Sequence, residues 1–214
     1  AETDPQVACV VITGTGDRAF CAGMDLADFA TEGAMQPSAE GMAGFRRFIE
    51  GDISVPIVGA ANATAVAGGF EVLMGCDLVV ASAEARFGLP EVKRGLFAAG
   101  GGTALGTRIP LAIALELALT GDLVDADRAA ALGLVNRVVP PAEVLETALA
   151  LAERIAANGP LGLRATKQLV RLATRGPAEV ATVQAEWQAK VFSSEDAREG
   201  AAAFIEKRDP VWKG

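Results

Sequence analysis

The sequence predicts an α/β fold over residues 1–140 and an all-helical region over residues 141–214, on three observations. Short, continuous apolar runs rich in β-branched residues alternate with helical stretches bounded by Gly and Pro. After Pro141 the strand pattern stops and only helical periodicity remains. The chain is 51% hydrophobic but only 5% aromatic, so Ala and Gly carry the apolar content and helices can pack closely. Alternating strands and helices define the α/β class.

The elements follow in order. Val7–Thr13, "VACVVIT", is a continuous apolar run and reads as a buried strand. "GTGD" turns the chain, and "RAFCAGMDLADF" follows, with three small residues (Cys21, Ala22, Gly23) between a β-rich run and a polar segment that extends to about Gln36. "SAEGMAGFRRFIEG" reads as an amphipathic helix with Ser38 as its N-cap. "VPIVGAAN" is a second buried strand with Pro56 at its start. "VAGGFEVLMGC" reads as a helix entered through two glycines, "DLVVAS" as a third strand, and "ARFGLPEV" as a short extended piece ending in a turn.

"AAGGGTALGTRIP" is a Gly-rich loop entering a helix, and "PLAIALELALTG" a helix with Pro in its first turn and Gly past its end. "DADRAAALG" is a short helix and "LVNRVVP" a last strand. Four helices complete the chain: "PAEVLETALALAERIAANG", "PLGLRATKQLVRLATRG", "PAEVATVQAEWQAKVFSS" and "SEDAREGAAAFIEKR".

Composition narrows the function. The net charge is −8 and no block of Lys or Arg occurs, which argues against nucleic acid and anionic membranes as partners. No apolar run reaches membrane-spanning length, and the first residues lack a basic stretch followed by an apolar signal core. The three cysteines, Cys9, Cys21 and Cys76, show no CxxC spacing and read as free thiols in a reducing, cytoplasmic setting. There is no histidine and no tyrosine. Ser-His-Asp and Cys-His machinery and His-ligated metal sites are thereby excluded, and no metal site is expected. Acid–base chemistry must fall to carboxylates or lysines.

Two carboxylates and a glycine pair carry the chemistry. Glu71 lies inside the apolar run "AVAGGFEVLMGC", and either the one exposed face of a helix or a buried functional position accounts for it. Glu91, in "FGLPEVKRG", fits a surface turn when taken alone. Gly68 and Glu71 are three apart and share a helix face. The first turn of a helix presents N–H groups without intrahelical acceptors, and the helix dipole makes that end positive. A glycine there admits a ligand oxygen close to the backbone. Together these make half of an oxyanion hole with a carboxylate one turn away. The second donor falls to "FCAGMDL", where Ala22 and Gly23 leave room and Met24 offers its N–H. The run "AAGGGTALG" fits neither GxGxxG nor GxxxxGK[ST] and reads as a turn and helix entry beside the pocket.

These stretches resemble the crotonase family of enoyl-CoA hydratases and isomerases. The likeness runs through "VVITGTGDRAFCAGMDL", "PIVGAANATAVAGGFEVLMGCDLVVAS", "ARFGLPEVKRGLFAAGGGTALGTRIP", "ALTGDLVDADRAAALGLVNRVVP" and "AFIEKRDPVWKG", in the family's order. It implies a ββα spiral core followed by a C-terminal helical trimerisation region. It implies oxyanion donors at the Met24 and Gly68 amides, and two glutamates, Glu71 and Glu91, that hold a water and shuttle its protons. In the family Glu91 corresponds to the donor to C2 and Glu71 to the water-activating group. Substrate-binding positions implied are Ala22, Asp25, Leu26 and Gly69, with Phe204 and Lys207 on the terminal helix at the CoA site; Asp77 is structural.

The implied reaction is syn addition of water to a trans-2-enoyl-CoA, as in fatty acid β-oxidation, with no cofactor beyond the CoA of the substrate. A homotrimer or dimer of trimers is implied. Enoyl isomerisation, decarboxylation, thioester hydrolysis and non-catalytic acyl-CoA binding are the alternatives. Departures from the family are Ala67 and Ala63 where glycine is usual and Met24 where alanine is common. The strands and helix that family members carry before the position of Val7 are expected to be missing, with loss of part of the CoA adenine site.

Overall fold

The computed structural model describes residues 1–26, 38–174 and 177–214, so part of the polar segment expected up to Gln36 lies outside the described residues. The α/β class expected from the sequence is what the chain forms. Strands β1 (Val10–Thr13), β2 (Ile57–Ala61), β4 (Leu78–Ser82) and β7 (Arg137–Val139) make a sheet in the order β1-β2-β4-β7. β2 and β4 run parallel with Val58 opposite Leu78, and β4 and β7 run parallel with Val80 opposite Arg137. Every residue of β2 is buried, as an uninterrupted apolar run in a central parallel strand should be. β1 differs from its expectation. It starts at Val10 rather than Val7, and its residues are only half-buried because it is the terminal strand of the sheet.

A second sheet was not expected from the sequence. β3 (Ala65–Val66) pairs parallel with β5 (Arg86–Gly88), and β5 pairs antiparallel with β6 (Val124–Asp125). This small sheet carries both functional turns: β3 feeds one helix and β5 feeds the turn bearing Glu91.

Helix α1 (Ala39–Ile49) is capped by the Ser38 hydroxyl, which accepts from the Gly41 N–H at 3.1 Å. Helix α2 (Gly68–Gly75) leaves β3 directly. A 3₁₀ turn at Pro90–Arg94 follows β5 and ends at Gly95 in the left-handed region, φ 70°. A second 3₁₀ turn, Gly102–Ala104, leads into α3 (Leu105–Arg108) and α4 (Leu111–Thr120). α5 (Ala126–Ala131) is capped by Asp125, whose carboxylate accepts from the Arg128 N–H at 2.7 Å. Asp77 has the structural position expected of it: its Oδ2 accepts from the Ile57 N–H at 2.8 Å, while the Asp77 N–H donates to the Ile57 carbonyl at 2.9 Å.

The four expected terminal helices are α6 (Val144–Ala156), α7 (Pro160–Ala173), α8 (Pro177–Phe192) and α9 (Glu195–Glu206). The described chain forms two compact units. One comprises Val11–Asp52 and Ile57–Leu149; the other comprises Ala1–Val10, Ile53–Pro56 and Ala150–Gly214. Within the second unit the last residues are tied down. Arg208 grips both carboxylate oxygens of Glu199, at 2.6 and 3.0 Å, which holds that acid down at a pKa of about 2. The Trp212 indole donates to the Ala157 carbonyl at 2.8 Å, and buried Asp196 accepts from the Lys213 and Gly214 amides. Among the described residues no helix is long and apolar enough to cross a membrane, and no group of three or more Cys, Asp or Glu is placed to hold a metal ion.

The junction of β3 and α2 is strained. Ala67 sits at φ 53°, ψ −130°, a region that disfavours any residue with a Cβ. Its N–H is fixed to the Gly88 carbonyl at 3.0 Å and its carbonyl accepts from the Phe70 and Glu71 amides, so the turn is held from three sides. Replacing Ala67 with Gly should raise the unfolding free energy by about 1 kcal/mol, since relief of the left-handed strain outweighs glycine's entropy in the unfolded chain. Denaturant midpoints of wild type and A67G, with unchanged slopes, would check this.

Candidate active site

Two backbone segments meet edge to edge. The Phe20 N–H donates to the Thr64 carbonyl at 3.0 Å, and the Val66 N–H donates to the Cys21 carbonyl at 3.1 Å. Cys21 and Ala65 thereby form an isolated parallel bridge. Gly69 makes the approach possible, because a Cβ there would collide with the Cys21 backbone and come within 2.7 Å of its Cβ. One step further on, Gly23 lies against the start of α2. It adopts φ +86°, and a Cβ on it would fall 2.9 Å from the Ala67 methyl and 3.0 Å from the Gly68 nitrogen. A side chain at position 23 would therefore cover the Gly68 amide.

The structure sets Gly23, the residue before Met24, against the start of α2 at Gly68. Gly68 opens α2, so its N–H has no acceptor within the helix. Among the described residues neither the Gly68 nor the Met24 N–H finds a backbone acceptor. Ala22, Gly23, Asp25 and Leu26 are exposed, and Met24 is 44% exposed, so this loop is open to an incoming molecule.

Glu71 is not on an exposed face. It is only 5% exposed, in the first turn of α2, with its carboxylate 3.9 Å from where a Gly68 Cβ would stand. Its Oε1 accepts from the Gly102 N–H at 2.8 Å. Its Oε2 and carboxyl carbon pack against Gly100, where any side chain would strike them. A buried carboxylate needs a donor of this kind. Sequence reasoning missed the roles of Gly100 and Gly102 and treated the loop only as a turn. The signal available was three consecutive glycines, of which only Gly101 takes a positive φ. The other two are there for closeness rather than for turning.

Glu91 stands in the 3₁₀ turn after β5. Its Oε2 is buried and meets no hydrogen-bond partner among the described residues. Burial pushes its pKa above the ordinary 4.5, the Glu71 carboxylate pushes it further the same way, and a bond from its own amide opposes them. The two acids thus differ in kind: Glu71 is held by a donor aimed at it, and Glu91 resists losing its proton. Phe204 and Lys207 belong to the other compact unit. Phe204 is 86% exposed on α9, and Lys207 ends that helix at φ 55°.

A strained strand-to-helix turn, a helix-start amide with no backbone acceptor among the described residues and two carboxyls of unlike environment lie in one compact unit. The chain belongs to the enoyl-CoA hydratase/isomerase family, also called the crotonases, whose family model matches residues 1–214. It is 38% identical to the carnitinyl-CoA dehydratase of Salmonella typhimurium (strain LT2), an alignment that covers 99% of this chain and 83% of the relative. Among solved structures, an enoyl-CoA hydratase from Mycobacterium marinum is 44% identical with a TM-score of 0.89, covering 99% of this chain and 82% of the other. An enoyl-CoA hydratase from Mycobacterium tuberculosis H37Rv is 45% identical with a TM-score of 0.87, covering 97% and 81%.

Two outcomes follow from this geometry. Gly23→Ala should cut kcat/KM on an enoyl thioester by at least about 10²-fold, the cost of losing one oxyanion donor, because its methyl covers the Gly68 amide; steady-state kinetics would read it. Glu91 is raised in the folded state, so its contribution to stability is fully present below the ordinary pKa and is lost as pH rises through the folded value. The variant E91Q should therefore gain stability relative to wild type between about pH 4 and about pH 7, measured by denaturant midpoints at both. A constant difference across that range would contradict the assignment.

Proposed function

We propose that the protein is an enoyl-CoA hydratase, adding water across a 2-enoyl thioester to give a 3-hydroxyacyl thioester. The observation that carries this reading is a buried carboxylate, Glu71, one helical turn from the open Gly68 amide, with the dissimilar Glu91 near enough to feel its charge. As oxygen attacks C3, electrons move to the thioester oxygen. The Gly68 and Met24 N–H groups stabilise that enolate, each worth about 2.7–4 kcal/mol to the transition state. Glu71, whose Oε1 accepts from the Gly102 amide, takes a proton from the attacking water. Glu91, whose burial favours its protonated form, delivers one to C2. The proton count closes, since one leaves water and one joins C2.

The name of the Salmonella relative supports the same chemistry, since a dehydratase runs these bond changes in reverse. The charge of −8 and the lack of a basic block support a soluble small-molecule substrate rather than a polyanion. Exposed apolar stripes, Leu111, Leu115 and Leu119 on α4 and Leu145 and Leu149 on α6, support self-association as part of this reading.

The test is the loss of enoyl thioester absorbance on mixing with crotonyl-CoA. Wild type should hydrate, and E71Q and E91Q should each lose about 10²–10⁴-fold in kcat. Binding of the thioester with no turnover would replace this reading with an acyl-CoA-binding protein. Migration of the double bond without uptake of water would replace it with an isomerase.

A further inference from the structure

The loop that carries Met24 is held at its far end by a side chain with no part in the chemistry above. Asn62 follows β2 directly and is half-buried. Its Oδ1 accepts from the Gly14 N–H at 3.0 Å and from the Thr13 hydroxyl at 3.4 Å, and its Nδ2 donates to the Gly16 carbonyl at 2.7 Å. The Thr13 hydroxyl is also placed to donate to the Ala60 carbonyl at 3.0 Å. One amide side chain thus grips both sides of the "GTGD" turn from a fully buried strand.

The grip is transmitted by contact. Gly14 abuts the far end of the same loop: a Cβ there would stand 2.6 Å from the Phe20 Cα and 2.8 Å from Asn62 Oδ1. Phe20 is buried, and its N–H bonds to Thr64, two residues after Asn62. Cys21 is then paired with Ala65 and Val66, and Gly23 lies on Gly68. The segment from Gly14 to Gly23 is fastened along the segment from Asn62 to Gly69, and Asn62 makes the first fastening. A carboxamide supplies an acceptor and a donor on separate atoms at the end of one short side chain. Asp keeps the acceptor and the size but loses the donor; Ala loses both.

We propose that Asn62 is a positioning residue for the oxyanion site, setting the Met24 amide against the Gly68 amide through the Gly14–Phe20 loop. This rests on the reading of those two amides as the oxyanion donors. A residue that merely staples a surface turn would affect stability alone. A residue that sets a donor changes how strongly the bound thioester carbonyl is polarised.

The experiment uses a CoA thioester of a conjugated aromatic enoic acid, whose absorption band moves to longer wavelength when its carbonyl is polarised. Wild type should shift the band. N62A and N62D should bind the probe with the band moved back toward its free position. Their kcat and kcat/KM should fall together by about 10–10²-fold, part of the loss expected for a whole donor. Retention of the full shift and of kcat in N62D would overturn the proposal, even if its melting temperature falls. If N62A does not fold, N62D decides alone, since it preserves volume and the Gly14 bond. A wild-type complex with no shift would overturn the oxyanion reading itself, and with it the role of Asn62; a wild-type shift with an unaffected N62D would overturn only the latter.

Discussion

The close approach of two stretches of backbone governs the rest. Residues 20–23 lie against residues 64–69 with carbonyl and amide in register, and that contact exists only because atoms are absent at Gly23 and Gly69. The same proximity leaves no room for a relaxed entry into α2, and Ala67 absorbs the misfit at φ 53°. Local strain is tolerated because the Gly88 carbonyl and the Phe70 and Glu71 amides over-determine the turn. The small three-stranded sheet, which contributes little area of its own, is what fixes β3 and β5 so that both turns emerge side by side.

The electrostatics depend on that frame. Burial and the nearby Glu71 carboxylate both push the Glu91 pKa up. The two carboxyls meet unlike surroundings. The Gly-rich loop brings the Gly102 N–H to Glu71, while one oxygen of Glu91 is left buried without a donor. The satisfied acceptor lies one helical turn from the helix-start amide of Gly68, and the unsatisfied acid is close enough to feel the charge of that acceptor. The fold carries an orphaned polar atom here and satisfies its other buried carboxylates elsewhere, as at Asp196.

Much of this was legible in the sequence. Long, strongly patterned elements read correctly: β2 and β4 as buried runs, α1 with its Ser38 cap, α4 between Pro110 and Gly121, and the four terminal helices. β3 and β6 did not, since two residues each are too few for any periodicity to register. β1 was expected to be buried and is half-exposed, because an apolar run reports its own character and not whether a neighbour covers it. Among site residues, the Gly68 and Glu71 pairing was readable because helix geometry fixes it locally. The burial of Glu71 was not, because its partner Gly102 is 31 positions away. Asn62 was invisible as a loop anchor for the same reason: its bonds span 46 to 49 positions.

The oxyanion donor proposed at Met24 does not depend on the methionine side chain. It is a main-chain N–H, and every residue except proline has one. Exchange of the methionine side chain leaves that N–H standing, so position 24 is free to vary in bulk while the group proposed to meet a reacting oxygen persists. Heritable change can therefore explore the shape of the surrounding cavity without passing through an inactive intermediate. The glycines beside it have no such latitude, because what they contribute is empty space. Tolerance and intolerance to mutation alternate along a single short loop, and a lineage built on it can change what it accepts far more easily than how it reacts.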